Sequence, residues 1–379
     1  MISRPVVFFT ATLLATAVPY SSIHNLQIRA TTPFRRLSCT GKGVCERPES
    51  RSLRFFLVGD TGGIPIYPYT TYGQKKVARM MNDLAAVNPV DFVVNLGDNV
   101  YFNGVSDIFD SRFEKSFEDV YDAEHLQVPW YMIAGNHDHF GNITAQIHYT
   151  NYSSKWTFPD LYYKTSYRFG PRNVSVDFVF IDTIVLCGNT QDIQNGGFLD
   201  VILTKQVDPE EPSDPEAAHK QWEWIVEQLN SSTSDYLFVA GHYPIFSISS
   251  HGPSKCLIEH LSPLLKQFGA SAYFAGHDHT VQHIRELDGD DEVVLSHFVS
   301  GGASRTDRSS AHKKSVPEAW LQFHYPSGFN PFSQLGFTSG AFISVDVDEY
   351  RAKFNFYKGS GSELYETTVL PRKRKSSDL

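Results

Sequence analysis

The 379-residue chain has few cysteines, no excess of positive charge, no internal repeat and, beyond its first residues, no long apolar run. Its net charge of −9 gives no support to nucleic-acid binding. A membrane-spanning helix needs about 20 apolar residues, and no later segment is long and apolar enough, so we expect no membrane span. The apolar fraction of 41% suffices for a sizeable core, in one large domain or two small ones.

The first 17 residues are predicted to be a secretory signal peptide. Arg4 supplies the positive charge, residues 5–15 form a short apolar stretch, and residues 15–17 (Ala-Thr-Ala) fit a small-residue cleavage site. The alternative is a buried strand or helix at the N-terminus. The signal peptide predicts a protein of the secretory pathway, either secreted or lysosomal. We expect this protein to be a monomer.

The four cysteines fit an exported protein with two disulfides. Three pairings are possible, and the sequence spacing favours Cys39 with Cys45 and Cys187 with Cys256. N-x-S/T sequons, which predict glycosylation, occur at Asn142, Asn151, Asn173 and Asn230.

Beyond the signal peptide, the pattern of apolar residues divides the chain into three parts. Residues 18–50 are polar and are expected to form an irregular extension outside the core, 51–371 form the main domain, and 372–379 form a basic, solvated tail. Within the main domain, strands alternate with helices at 74–87, 110–121, 219–229 and 257–268, and strands predominate after residue 292. This order predicts an α/β fold with two packed sheets flanked by helices. The polar segments 189–217 and 304–317 are expected to be exposed loops that gate a site or are merely flexible.

Five short motifs follow apolar runs, namely GDTGG, GDNVY, GNHDH, AGHYP and GHDH. Ligands of open α/β sheets bind beyond the carboxyl ends of the strands, so five such ends would bring the motif side chains into one crevice. The glycines of the motifs are expected to allow sharp backbone turns there. The oxygen and nitrogen donors suffice for two metal ions, which indicates phosphate-ester hydrolysis; they are Asp60, Asp98, Tyr101, Asn136, His242, His277 and His279.

The motif set GDxG, GDxxY, GNHD, GHxP and GHxH resembles the purple acid phosphatases of the metallophosphoesterase superfamily. The similarity extends from about residue 55 to residue 371 and is strongest in VPWYMIAGNHDHFGN and AGHYPIFSISSHGPSKCL. The tyrosine of GDxxY separates this family from phosphoesterases that lack it. The resemblance implies a four-layer sandwich of two mixed sheets between helices, with residues 51–371 as the catalytic domain. It also implies a disulfide between Cys187 and Cys256, and glycans on Asn142 and Asn173.

The resemblance also implies two different metal sites. Asp60, Tyr101 and His279 would bind Fe(III), and Asp98 would bridge to a divalent ion, expected to be Fe(II), with zinc or manganese as alternatives. Carboxylate and phenolate are hard anionic donors suited to Fe(III), whereas imidazole and amide oxygen suit a divalent ion. With about +5 from the metals, −3 from the anionic ligands and −1 from hydroxide, the site would carry about +1 and attract phosphate. The ligands of the divalent ion would be Asn136, His242 and His277.

His137 and His251 are expected to contact the substrate phosphate, as the resemblance implies. The expected reaction is hydrolysis of a phosphomonoester or phosphoprotein at acid pH, with a metal-bound hydroxide attacking phosphorus and the two histidines donating hydrogen bonds or a proton. The alternative for each histidine is a packed structural role. The alternative functions are generation of oxygen radicals by the iron pair, a non-catalytic iron store, and phosphodiester hydrolysis.

Two positions depart from the family pattern. Thr61 stands where relatives often have tryptophan, and Ser250 stands where an acidic residue often precedes the second histidine. With serine at position 250, protonation of the leaving group is expected to depend on His251 alone.

Overall fold

The computed structural model describes Cys39, residues 43–190, Pro209 and residues 211–372. The predicted signal peptide, most of the predicted extension, most of the 189–217 loop and the end of the basic tail lie outside the described residues. Within the described part, none of the helices has the length and apolar content needed to cross a bilayer.

The strands of the described residues form one eight-stranded and one seven-stranded mixed sheet, and this confirms the predicted fold class. The strands are β1 Val44–Arg47, β2 Leu53–Val58, β3 Phe92–Asn95, β4 Trp130–Met132, β5 Trp156–Thr157, β6 Tyr163–Phe169, β7 Val174–Phe180, β8 Tyr236–Ala240, β9 Ala272–Ala275, β10 Val281–Leu287, β11 Val293–Ser300, β12 Leu321–Tyr325, β13 Ala341–Val347, β14 Ala352–Lys358 and β15 Glu363–Val369.

Each sheet contains a run of four parallel strands. The eight-stranded sheet has the order β1-β6-β7-β8-β9-β11-β10-β12, and β7, β8, β9 and β11 are parallel neighbours. The seven-stranded sheet has the order β15-β14-β13-β2-β3-β4-β5, and β2 to β5 are parallel neighbours. The carboxyl ends of each run lie at one edge of its sheet, where the five motifs begin.

Three hydrophobic cores separate four layers. The first lies between the sheets and contains Phe55, Phe178 and Phe354. The second joins the seven-stranded sheet to its helices, and the third joins the eight-stranded sheet to its own helices. A sandwich of two sheets between two helical layers needs these three interfaces, since every sheet face must be covered by apolar side chains.

Three helices flank the sheets at positions that the apolar periodicity predicts, 74–87, 219–229 and 257–268. The first begins after Thr71, whose side chain accepts a hydrogen bond from the Gln74 backbone N–H at 3.0 Å, and it buries Val77 and Met81. The α-helices of the described residues are Tyr72–Val87, Asn136–His139, Ile143–Tyr149, Thr183–Cys187, Pro215–Ser231 and Lys255–Gln267.

The predicted helix 110–121 is shorter in the structure and is π-helical over Phe113–Glu118 instead of a regular amphipathic α-helix. Phe113 stacks on Tyr149 at 3.9 Å between ring centroids, and Phe117 packs edge-on against Trp130 and Trp156. Burial of two large rings on one turn determines this local geometry in place of a regular amphipathic helix.

Two segments that were expected to be irregular or exposed are part of the fold. Residues 44–47 were expected to lie outside the core, yet they form β1, which pairs with β6, and Cys45 is buried. In the loop 304–317, residues 304–307 are buried although the sequence is polar. They contact the loops that carry the motifs.

Candidate metal centre

The predicted ligands lie on loops that directly follow parallel strands of both sheets. These loops are joined by backbone hydrogen bonds, including Asp60 N–H to Gly97 O at 2.9 Å and Gly276 N–H to His242 O at 3.0 Å. The seven-stranded sheet supplies Asp60 after β2, Asp98 and Tyr101 after β3, and Asn136 after β4, while the eight-stranded sheet supplies His242 after β8 and His277 and His279 after β9.

Three of the predicted ligands meet at the Tyr101 hydroxyl. This hydroxyl donates to Asp60 Oδ1 at 2.9 Å and lies 3.0 Å from His279 Nε2. His279 Nε2 is also 3.5 Å from Asp60 Oδ1. The structure therefore brings together the three side chains predicted to bind Fe(III).

The other predicted ligands meet around His242. Its Nε2 lies 2.9 Å from Asn136 Oδ1 and 3.5 Å from Asp98 Oδ1. Asp98, His242 and His277 each offer a ligand atom, and these atoms all lie within 4.8 Å of one another. His242 Nδ1 donates to the Leu96 carbonyl at 2.8 Å, which leaves Nε2 available to a metal.

The backbone is strained at the ligands themselves, with positive φ at Asp60 (58°), Asp98 (53°) and His277 (67°). Such conformations are costly for residues with a side chain and occur mainly where function requires them. Among the motif glycines Gly59, Gly97, Gly135, Gly241 and Gly276, only Gly97 has a positive φ, of 94°. The other four glycines do not have the left-handed conformation that favours glycine.

Two of these glycines provide room for carboxylates instead. A Cβ added at Gly135 would meet Asp98 Oδ1 at 2.1 Å, and one added at Gly276 would meet Asp60 Oδ2 at 2.7 Å. The motifs need glycine there because the ligand carboxylates lie directly against the backbone.

The electrostatics of the ligand cluster fit bound cations. Burial, together with the charge of Asp98, raises the pKa of Asp60 well above its usual range, and burial raises the pKa of Tyr101. Burial also lowers the pKa of His277 well below its usual value and that of His279 to about 4. Buried anions and neutral imidazoles are the forms in which these side chains bind metals, and bound cations would stabilise them.

The two predicted substrate histidines lie beside this cluster. His137 Nδ1 donates to the Phe102 carbonyl at 2.6 Å, and His137 Nε2 is 3.9 Å from Asp98 Oδ2. The ring of His251 lies 4.1 Å from that of His277, between centroids. The His251 backbone N–H donates to Asp278 Oδ1 at 3.0 Å.

A carboxylate that the sequence analysis missed lies next to Ser250. The backbone N–H of Ser250 donates to Asp307 Oδ2 at 3.2 Å, and the Asp307 N–H donates to the His279 carbonyl at 2.8 Å. Although burial acts to raise the pKa of Asp307, hydrogen bonds from Ser250 and Ser309 hold it below its usual range. Asp307 is therefore an anionic acceptor that joins the His251 loop to the His279 loop.

Arg305 is the second residue missed by sequence reasoning. Its guanidinium carbon lies 4.1 Å from the Tyr101 ring centroid and 4.8 Å from that of Phe102. Its Nη2 donates to the Gly63 carbonyl at 2.9 Å. The available signal was positional, since GGASRTD follows the apolar strand β11 as the five motifs follow their own strands.

Polar contacts of buried residues support the ligand loops. Asn136 Nδ2 donates to Thr190 Oγ1 at 3.1 Å, and Asn189 Nδ2 donates to the Asn136 carbonyl at 3.1 Å, so the first residues of the 189–217 loop touch the site. His139 Nε2 lies 2.7 Å from Asp182 Oδ2 and joins the loop after β4 to the end of β7.

The structure has the disulfide pairing that the sequence spacing favoured, Cys39–Cys45 and Cys187–Cys256. The second disulfide joins the helix Thr183–Cys187 to the helix Lys255–Gln267. The asparagines of all four sequons are exposed, namely Asn142, Asn151, Asn173 and Asn230.

Comparisons with known proteins agree with this site. A family profile described as calcineurin-like phosphoesterase matches residues 53–281. The chain is 39% identical over 327 residues to tartrate-resistant acid phosphatase type 5 of Homo sapiens, covering 85% of this chain and 92% of that protein. It is 30% identical over 315 residues to purple acid phosphatase 17 of Arabidopsis thaliana, covering 83% of each chain.

Two solved structures share the fold. GAP50, the anchor in the inner membrane complex of Plasmodium, has a TM-score of 0.68 at 24% identity and covers 86% of this chain and 91% of its own. Purple acid phosphatase PPD1 of yellow lupin has a TM-score of 0.58 at 16% identity and covers 85% of this chain and 55% of its own. With the sequence comparisons, the motifs and the ligand geometry, it follows that the chain belongs to the calcineurin-like phosphoesterases and, within them, to the purple acid phosphatases.

Proposed function

We propose that the protein is an acid phosphatase that hydrolyses phosphate monoesters with two metal ions held between the sheets. The observation that supports this is the division of the donors into two adjacent groups. Tyr101 lies within 3.0 Å of both Asp60 and His279, and His242 lies 2.9 Å from Asn136. An anionic donor group beside a neutral one suits Fe(III) next to a divalent ion.

The two ions would be held by the donors in these groups, with Asp98 between them. When bound, they would acidify water and neutralise the charge of the phosphate ester. The divalent ion is proposed to be Fe(II), with zinc or manganese as alternatives. The Fe(III) ligands are Asp60, Tyr101 and His279, and those of the divalent ion are Asn136, His242 and His277.

His137 and His251 are proposed to donate hydrogen bonds to the phosphoryl oxygens or to protonate the leaving group. The Phe102 carbonyl holds the His137 ring, since it accepts from Nδ1, and Nε2 is then the free ring nitrogen. The Asp278 carboxylate holds the backbone of His251. Relatives often have an acidic residue at the position of Ser250. Asp307 does not replace it as a proton donor, because Asp307 is an anionic acceptor, and His251 remains the proposed proton donor.

The proposed setting is the secretory pathway, with the protein secreted or lysosomal after loss of residues 1–17. Two disulfides and four exposed sequons support this setting. Residues 51–371 are the proposed catalytic domain of a monomer that acts on phosphomonoesters or phosphoproteins. Gating by the 189–217 loop stays a prediction, and its central residues lie outside the described part.

A metal analysis, a visible spectrum and an assay of aryl phosphate hydrolysis at acid pH test this proposal on the intact protein. We expect two bound metal ions, a visible band from Tyr101 phenolate to Fe(III) charge transfer, and hydrolysis. Tyr101→Phe should lose the band and the activity but stay folded. Tyr167→Phe is the matched control, because Tyr167 is also buried and its hydroxyl bonds Tyr131 at 2.7 Å, away from the ligands. A wild-type protein that binds iron but is colourless would contradict the role of Tyr101.

A further inference from the structure

Arg305 is a buried cation without an ionic partner. Arg305 is only 5% exposed. Among the described residues, no carboxylate oxygen lies within 4.0 Å of its guanidinium. Its hydrogen bond to the Gly63 carbonyl is its single described one, and its Nε is buried without a partner. Buried arginines are normally paired, because desolvation of an unpaired charge costs several kcal/mol.

The aromatic rings beside Arg305 offset only part of that cost. A cation over an aromatic face is attracted to the ring, but this attraction is smaller than the cost of desolvating an unpaired charge. The acidic groups that attract the guanidinium are Tyr101, Asp98 and Asp60. Once these three side chains bind metal ions, their negative charge is more than balanced, and Arg305 faces a net positive site. A bound anion would then complete the charge balance.

The position of Arg305 is suited to an anion in the active site. Arg305 and His137 both pack against the Tyr101 and Phe102 rings, with His137 at 4.7 and 5.5 Å between centroids. His137 is the side chain that is proposed to contact the substrate phosphate. The charge of Arg305 is therefore held in the same wall of the site, in a water-poor environment that screens it weakly.

We propose that Arg305 is a specificity-determining residue, whose fixed positive charge makes the site favour dianionic phosphate monoesters over monoanionic diesters. This inference rests on the proposed phosphatase function. Without Arg305 the metal-loaded site carries about +1, and with it about +2, which equals the charge of a monoester dianion in magnitude. A diester, with one negative charge, gains half as much Coulomb energy from the same guanidinium.

The test replaces Arg305 by Gln, which removes the charge, and by Lys, which keeps it. At pH 7, where phosphate is largely dianionic, we expect Arg305→Gln to weaken binding of inorganic phosphate to the metal-loaded protein by about 10-fold or more. Calorimetry measures this without turnover. The kcat/KM for p-nitrophenyl phosphate should fall by a similar factor. The kcat/KM for bis(p-nitrophenyl) phosphate should fall by the square root of that factor, about 3-fold, since Coulomb energy scales with charge.

Arg305→Lys should stay within about 3-fold of wild type in phosphate binding, because a charge at this position suffices. Lys313→Gln, an exposed residue of the same 304–317 segment, makes the same change in net charge and should alter neither quantity.

Three results would overturn the proposal. They are unchanged phosphate affinity in Arg305→Gln, equal losses in the Gln and Lys variants, and loss of bound metal in Arg305→Gln, which would make Arg305 a support of Tyr101 instead. A wild-type protein that binds phosphate but hydrolyses no ester would refute the phosphatase function. The binding measurement would still test whether the charge of Arg305 contributes to phosphate affinity.

Discussion

The seven-stranded and eight-stranded sheets bring different kinds of side chain to the site. The loops after β2 and β3 carry the anionic donors Asp60, Asp98 and Tyr101, whereas the loops after β8 and β9 carry the imidazoles of His242, His277 and His279. The eight-stranded sheet also supplies the cation Arg305, after β11. The anionic donors among the predicted ligands are thus concentrated on one sheet, and the imidazole ligands and the cation Arg305 on the other.

This difference shows why neither sheet alone provides a metal site. The seven-stranded sheet alone would lack the imidazole ligands, and the eight-stranded sheet alone would lack the carboxylate and phenol ligands. Packing of the two sheets brings Tyr101 within 3.0 Å of His279 and His242 within 3.5 Å of Asp98. The core between the sheets therefore positions the ligands as well as stabilising the fold.

The largest effect is expected from removing the shared anion. Asp98→Asn should lose both metal ions and at least about 10³-fold of the phosphatase activity, because it removes charge next to both groups of donors. Loss of the neutral donor in His242→Asn should release mainly the divalent ion. Metal content and aryl phosphate hydrolysis measure both.

Asp177→Asn is the matched control, since Asp177 is a carboxylate on β7 that is likewise buried but hydrogen-bonded to Ser166 and Ser232. It should keep its metals. If His242→Asn released as much metal as Asp98→Asn, the contrast between an anionic and a neutral sheet would not hold.

The next effect concerns the contribution of the disulfides to the free energy of unfolding. Cys187–Cys256 closes a separation of 69 residues, and its loss in the double alanine variant should lower the free energy of unfolding by about 4 kcal/mol by loop entropy. Cys39–Cys45 closes only six residues and should contribute about 2 kcal/mol. Denaturant unfolding without reductant measures both, and equal losses would contradict the loop-entropy account.

The smallest effect concerns the contact between His139, after β4 of the seven-stranded sheet, and Asp182, after β7 of the eight-stranded sheet. Burial acts to lower the pKa of His139, but the Asp182 charge outweighs it and raises the pKa above its usual value. A raised histidine pKa stabilises the fold fully below the unfolded value of about 6.5, and this stability is lost as the pH rises through the folded value.

His139→Gln should therefore cost about 1.5–3 kcal/mol near pH 5 and less above pH 8. Thermal or denaturant unfolding at the two pH values measures the difference. His148→Gln, an exposed histidine of the neighbouring helix, should show no such dependence. A cost for His139→Gln that grew with pH would show that the pair is not ionic.

Mainly apolar segments of the sequence predict strands at 53–58, 236–240, 272–275 and 341–347, and these are the bounds of β2, β8, β9 and β13. The strands β6, β10 and β12 were missed because their sequences, YKTSYRF, VQHIREL and LQFHY, mix polar and apolar residues without clear alternation. Pairing with neighbouring strands forms them, and a single sequence does not display that pairing.

From the sequence alone we predicted the two-sheet architecture and the seven candidate ligands, because the ligand motifs follow apolar runs that a local pattern reveals. His137 and His251 were predicted through the resemblance to the purple acid phosphatases. Only the tertiary structure placed Arg305 against Tyr101 and Asp307 against Ser250. Both lie in a polar segment that looks like an exposed loop, and their burial depends on contacts with residues more than 50 positions away. Long-range packing, which no local pattern encodes, decided which charges lie beside the metal ligands.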